Sequence, residues 1–305
     1  MAPLTARTAL TAWQFAPLVS GALILLAAGY AGCAVRVRRQ HRARPWPPAR
    51  LAAFFAGLGV VALATESSIG AYDDVLFSDH IIQHVLLIMV APPLLITGRP
   101  LTLLLHAWGN PLHTWVKRAL RSPVAAAVTW PPAATLLYCA VVAGTHTPPV
   151  MNLVLGNDAV HNAEHAVYLA AGYLFFLPVI GSEPIRWRMS VPGRFVVMLI
   201  AMMADSFTGI VFTFQSREVF AAYAATGRQW GPSLIADLHL GGAVMFIGSD
   251  IAMGAVAIAI AVAFVRAHDA GRGVRWRPDV DLAAYNAYLR SLSGQHGPHA
   301  ARRSG

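Results

Sequence analysis

Long apolar runs recur along this chain, separated by more polar segments that carry arginine, proline or glycine. They cover residues 12–35, 51–68, 81–97, 124–143, 166–180, 195–214 and 240–265. Each approaches the roughly 17–25 residues that cross a bilayer as a helix. The pattern predicts an all-α integral membrane bundle of about seven transmembrane helices. The third and fifth runs reach spanning length only if each begins at the histidine pair that opens it, His80/His84 or His161/His165. Pro92 and Pro93 predict a kink in the third helix, and Gly241 and Gly242 predict a close helix approach in the seventh. Residues 100–120 are too polar to span. They read as an interfacial helix with Leu103, Leu104, Leu105, Trp108 and Trp115 against lipid and Lys117 and Arg118 outward. The membrane domain is placed at 1–268, and 269–305 reads as a cytoplasmic, partly disordered tail.

Composition strengthens this picture. The 305 residues are 56% hydrophobic and 12% charged, against about 25% charged in soluble domains. The net charge of +9 would suggest nucleic acid, but its distribution argues otherwise. All but Arg7, Arg217 and Arg228 of the 23 basic residues fall on one side of a seven-span bundle. The positive-inside rule then puts the N-terminus outside and the C-terminus in the cytoplasm of a bacterial inner membrane. The lipid bilayer is the partner this charge reports, and no nucleic acid is needed. The alternative is a lipoprotein-type cleavage at "YAGC", Tyr30–Cys33, which would carry six arginines across the membrane. Two cysteines, Cys33 and Cys139, exclude a disulfide scaffold and a four-cysteine zinc site.

With that topology, the third, fifth and seventh helices all start outside. Their first turns carry His80 and His84, His161 and His165, and Asp237 with His239. Residues four apart lie about 40° around a helix and roughly 6 Å along it, so each pair can face one point in a cavity. Asp205 lies within the sixth helix and Glu66 near the outer end of the second. Ionisable groups inside spans usually face the interior and mark function. Each has a plainer reading: an interfacial hydrogen bond for a lone histidine, a helix–helix hydrogen bond for Asp205, packing for Met202 and Met203. Two pairs and a third histidine at one depth favour a metal or haem site, with Asp237 and Asp205 as ligands or ligand orienters. His146 is external and loop-borne, a minor candidate. His41, His106, His113, His268, His296 and His299 fall on the cytoplasmic side.

The segments "HIIQHVLLIMVAPPLLITGRP" (80–100), "HNAEHAVYLAAGYLFFLPVIG" (161–181) and "DLHLGGAVMFIG" (237–248) resemble the CtaG family of polytopic membrane proteins, assembly factors for caa-type cytochrome c oxidases. Together they lie within residues 51–265. The resemblance implies a part in maturing cytochrome c oxidase subunits, by supplying copper, as Cu(I), to the copper-containing catalytic subunit. His80, His84, His161, His165, His239, Asp237 and Asp205 are then the metal candidates. Imidazole sites also suit Cu(II) and Zn(II), so the choice of copper rests on the resemblance. The rival reading is a b-type haem electron carrier with one histidine of each pair as an axial ligand. A zinc hydrolase is a weaker rival, because "HNAEH" is not HExxH: Glu164 immediately precedes the second histidine. Nothing supplies a nucleotide loop or a nucleophile–base pair, which favours delivery over catalysis.

Overall fold

The apolar runs become helices in the computed structural model, which describes residues 2–40 and 45–275. Among the described residues there is no strand. A short α1 (Ala6–Thr11) precedes the long α2 (Pro17–Gln40) and α3 (Pro48–Glu66), and a single turn, α4 (Ser68–Tyr72), follows. The third run forms α5 (Phe77–Val85) and α6 (Ala91–Thr97), joined by a π-helical turn at Leu86–Val90. Three short helices come next, α7 (Pro100–Ala107), α8 (Leu112–Leu120) and α9 (Pro123–Val128), then α10 (Pro131–Thr145) and α11 (Pro148–Leu155). The remainder is α12 (Asp158–Ile180), α13 (Val191–Thr213), α14 (Ala221–Ala225), α15 (Leu234–Ala243), a second π-turn at Val244–Gly248, and α16 (Ser249–Arg275).

Among the described residues, six stretches are long and apolar enough to cross a membrane: Pro17–Gln40, Pro48–Tyr72, Phe77–Ala107, Asp158–Ile180, Val191–Thr213 and Leu234–Asp269. The chain is a multi-pass helical membrane protein. The remaining expected span, residues 124–143, is divided. Pro131 and Pro132 hold Trp130 extended and start α10, an apolar helix of 15 residues. The third and fifth helices begin before their histidines, at Phe77 and Asp158, so both pairs lie within the helix.

The expected interfacial helix at 100–120 is two helices, and its packing differs from expectation. Arg99 takes a left-handed conformation (φ 54°) ahead of α7. Leu103 and Ala107 then bury against Tyr30, Ala34 and Val37 of α2, so Leu103 faces protein and not lipid. Trp108 and Trp115 are exposed, as the lipid-facing reading requires. The Tyr30 hydroxyl, 2.7 Å from the Gly98 carbonyl, ties α2 to the same corner. At that end Arg188 donates to the Gly181 carbonyl and Arg194 to that of Ile180.

Helices in lipid associate through close packing of small residues more than through the hydrophobic effect. A Cβ on Gly242 would sit 2.6 Å from the Thr213 nitrogen and 2.7 Å from the Gly209 carbonyl oxygen, and one on Gly241 would strike the Phe77 ring. The seventh helix therefore makes the close approach expected of it. Ahead of Pro92, where the sequence predicts a kink, the helix carries the π-turn, in which the Ala91 N–H reaches back to the Leu86 carbonyl. Pro92 has no N–H for the Ile88 carbonyl four residues earlier. That oxygen instead lies against α12, where a Cβ on Gly172 would be only 2.1 Å away.

The chain divides into two compact units, Met1–Ala257 and Ile258–Gly305, and every residue of the site described below belongs to the first. α16 continues to Arg275, past the expected domain boundary at 268. The rest of the expected tail and His41 lie outside the described residues.

Candidate metal centre

The site is assembled around the first two turns of α5. No residue of that helix caps its own N-terminus. Asp237, from α15, does so instead. Its Oδ2 accepts from the Phe77 N–H (2.9 Å), and its Oδ1 from the Ser78 N–H (3.2 Å) and hydroxyl (2.6 Å). Arg228 lies 3.6 Å from the same carboxylate. This bonding fills the open N-terminus of α5, and one turn later His80 and His84 face α12. α12 is capped by Asn157, whose side chain accepts from the Ala159 and Val160 N–H groups. Tyr168 on α12 stacks on the His84 ring with centroids 3.7 Å apart.

Between the two helices the imidazoles and two carboxylates interleave. The ring centroids of His80 and His84 are 4.1 Å apart, those of His161 and His165 4.6 Å, and those of His80 and His161 5.5 Å. Glu164 Oε2 lies 3.8 Å from His80 Nε2 and 3.5 Å from His84 Nε2. Asp73 Oδ2, from the loop before α5, lies 3.6 Å from His161 Nε2 and 3.8 Å from His165 Nε2. Among the described residues two three-residue sets could each hold an ion, Asp73–His161–His165 and His80–His161–Glu164, with ligand atoms within 4.8 Å of one another. His161 belongs to both.

The polar atoms here are unusual in having no partners. Both nitrogens of His80 and of His84, Nε2 of His161 and of His165, and both Glu164 oxygens are buried without a hydrogen bond. Such groups are rare and costly, since buried polar atoms are nearly always paired. Distances of 3.5–3.8 Å are too long for direct hydrogen bonds. They leave room for a shared cation between the groups. Asp73 differs in taking a 2.6 Å hydrogen bond from Gln83, which also donates to the Ala64 carbonyl. Burial pushes the Asp73 carboxyl up to about 8, with the Gln83 bond opposing the shift. His165, with Asn162, also borders an apolar cavity of about 490 Å³ between α2, α3 and α12.

Of the residues singled out from the sequence, His80, His84, His161 and His165 converge. Asp237 does not join them: its oxygens are committed to the α5 N-terminus. Nor does His239, whose Nε2 lies 2.7 Å from the Gln215 carbonyl oxygen. Asp205 is buried and accepts from the Tyr138 hydroxyl at 2.9 Å; it lines a cavity with His84. Glu66 pairs with the Ser20 hydroxyl. Met203 is 64% exposed on the outer surface of the bundle, as packing against lipid would have it. Glu164 and Asp73 were not anticipated as members of the cluster. For Glu164 the available signal was a carboxylate within the histidine repeat itself. His146 proves to be buried beside His84, with centroids 5.5 Å apart.

Membrane-crossing helices enclosing four imidazoles and two carboxylates define a polytopic membrane protein with a polar cluster in its interior. The chain belongs to the cytochrome c oxidase caa3 assembly factor (Caa3_CtaG) family, which it matches over residues 28–267. It is 32% identical to the uncharacterized protein Mb0105 of Mycobacterium bovis, an alignment covering 95% of this chain and 46% of that one. The uncharacterized protein MT0111 of Mycobacterium tuberculosis gives the same values. The uncharacterized protein ML1998 of Mycobacterium leprae is 28% identical over 93% of this chain and 45% of its own length. The chain thus spans about half the length of these curated relatives. No solved structure matches it.

Proposed function

We propose that this protein holds copper at the His80/His84/His161/His165 cluster, with Glu164 and Asp73 completing the ligand set, and passes it to the catalytic subunit of a cytochrome c oxidase during assembly. The family supplies the process, oxidase assembly. The observation that carries the copper reading is the set of buried, unpartnered imidazole and carboxylate atoms facing one another. Two ligand sets sharing His161 suit a carrier, because an ion can move between them by exchanging one ligand at a time. The apolar cavity beside His165 gives the cluster a sideways approach from the bilayer, where the receiving subunit resides. Glu164 Oε2, 3.5 and 3.8 Å from the Nε2 atoms of His84 and His80, adds a carboxylate to the imidazoles, a mixed donor set that suits an ion more than bis-histidine haem. The protein acts as a carrier and not as an enzyme.

The test is a gene deletion followed by analysis of the membrane oxidase. Its polypeptides and haem should persist while its copper content and activity fall. External copper should restore part of the activity, since mass action can replace a carrier that raises local supply. Fully copper-loaded oxidase in the deletion strain would refute delivery. A Soret band in the purified protein would put haem in its place.

A further inference from the structure

One turn further along the same helix lies a second, smaller space. It is a cavity of about 10 Å³, largely apolar in its lining, whose walls include His84, Met89, His146, Asp205, Met245 and Ser249, which leaves room for about one water-sized body. His146, at the end of α10, is held by a 2.7 Å contact from its Nδ1 to the Val142 carbonyl oxygen. A carbonyl only accepts, so Nδ1 carries the proton and Nε2 presents a lone pair. That Nε2 is buried and has no hydrogen-bond partner, and the same is true of the Ser249 hydroxyl. Met89 and Met245 are both buried, at 1% and 4% exposure.

The methionines share a further property. Met89 lies in the π-turn at Leu86–Val90 and Met245 in the π-turn at Val244–Gly248. Single π-turns are uncommon and concentrate at functional sites. Core packing alone would account for two buried thioethers. It would not account for an oriented, unpartnered imidazole beside them in a space sized for one ion. Thioether with neutral imidazole is a soft donor set, which selects Cu(I) over harder ions.

We propose that this cavity is a second copper site, with His146 Nε2 and the Met89 and Met245 sulfurs as ligands to Cu(I). His84, which faces both Glu164 and this cavity, is the group through which an ion passes between the cluster and the deeper site. The inference rests on the copper reading of the cluster, but its donors are different, and so are its observables.

The experiment uses the full chain in lipid nanodiscs, made with selenomethionine and loaded anaerobically with Cu(I) and ascorbate, so that no added thiol contributes scattering. Copper-edge X-ray absorption should show copper–selenium scattering, which neither cysteine can mimic. In H161A/H165A the selenium shell should persist on the copper that remains. In H146Q the selenium-ligated copper should bind at least about 10-fold more weakly in competition with a chromophoric Cu(I) chelator, and M89L/M245L should lose the shell. The wild-type spectrum and H146Q carry the test if the double methionine variant does not fold. Copper bound through nitrogen and oxygen alone would overturn the deeper site and leave the cluster standing. Failure of the wild type to bind any Cu(I) would remove both.

Discussion

Two buried acids meet α5 within two turns of each other, and their surroundings are opposite. Asp237 is saturated: two backbone N–H groups, a hydroxyl and an arginine surround its carboxylate. Glu164 has no hydrogen bond to either oxygen, only imidazole nitrogens at 3.5 and 3.8 Å. Equal burial therefore does not mean equal purpose. A carboxylate whose bonding capacity is filled by the fold is part of the fold. One left unfilled among other unfilled groups is available to a ligand.

The comparison breaks most visibly at Asp237. D237A strips the cap from α5 and leaves Arg228 without its buried counter-charge. Removing one partner of a buried ion pair costs about 3–5 kcal/mol, so denaturant unfolding in detergent should shift strongly. Copper per folded molecule should not change. A comparable loss of copper in the surviving folded protein would mean that Asp237 is a ligand after all.

Next in size is Gly172→Ala, which drives a methyl group into the Ile88 carbonyl where α12 meets the π-turn. Overpacking of this kind costs about 1–3 kcal/mol. Because the contact lies beneath both histidine pairs, copper affinity should fall as well; an unfolding midpoint and affinity equal to wild type would show that the two helices can part freely.

Glu164→Gln should have the smallest effect on folding, within about 1 kcal/mol, since no hydrogen bond is lost and a costly buried acid is removed. Its copper affinity should nevertheless fall at least about 10-fold, as losing even a ligand's supporting partner does. Unchanged affinity would sever Glu164 from the site. His84→Ala with His165→Ala should abolish tight copper binding, while H106A and H113A should alter neither stability nor copper content.

The helices and the four converging histidines were legible in the sequence because both signals are local. Hydropathy gives length, and spacing by four keeps a pair on one face. What remained hidden was azimuth. The sequence puts Asp237 and His239 on one turn at the start of the seventh helix, but residues two apart point about 200° around a helix from each other, so they could not both face the cluster. In fact the first turns onto α5 and the second onto Gln215. Glu164 lies about 100° from His165, on a face whose neighbour only tertiary packing reveals. Asp73 sits in a loop held by Gln83 and by the Tyr223 hydroxyl, 2.8 Å from its carbonyl oxygen, contacts made at sequence separations of 10 and 150. Leu103 misled for the same reason: its apolar face meets α2, a partner the local pattern does not name.

The π-turn at Leu86–Val90 makes this helix sensitive to arithmetic. Removing any one residue there would let the segment close as ordinary α-helix, with hydropathy and span length almost unaltered. A π-turn fits five residues into about the rotation and rise that four take in an α-helix, so His80 and His84 would keep their bearing on Glu164 and Pro92 its place against α12. What would go is the wide turn itself, and with it the Ile88 carbonyl set against Gly172 and the wall that Met89 gives the deeper cavity. A relative shorter by one residue between His84 and Pro92 would thus keep its histidine cluster while losing what the extra residue builds, and counting that interval tells the two apart.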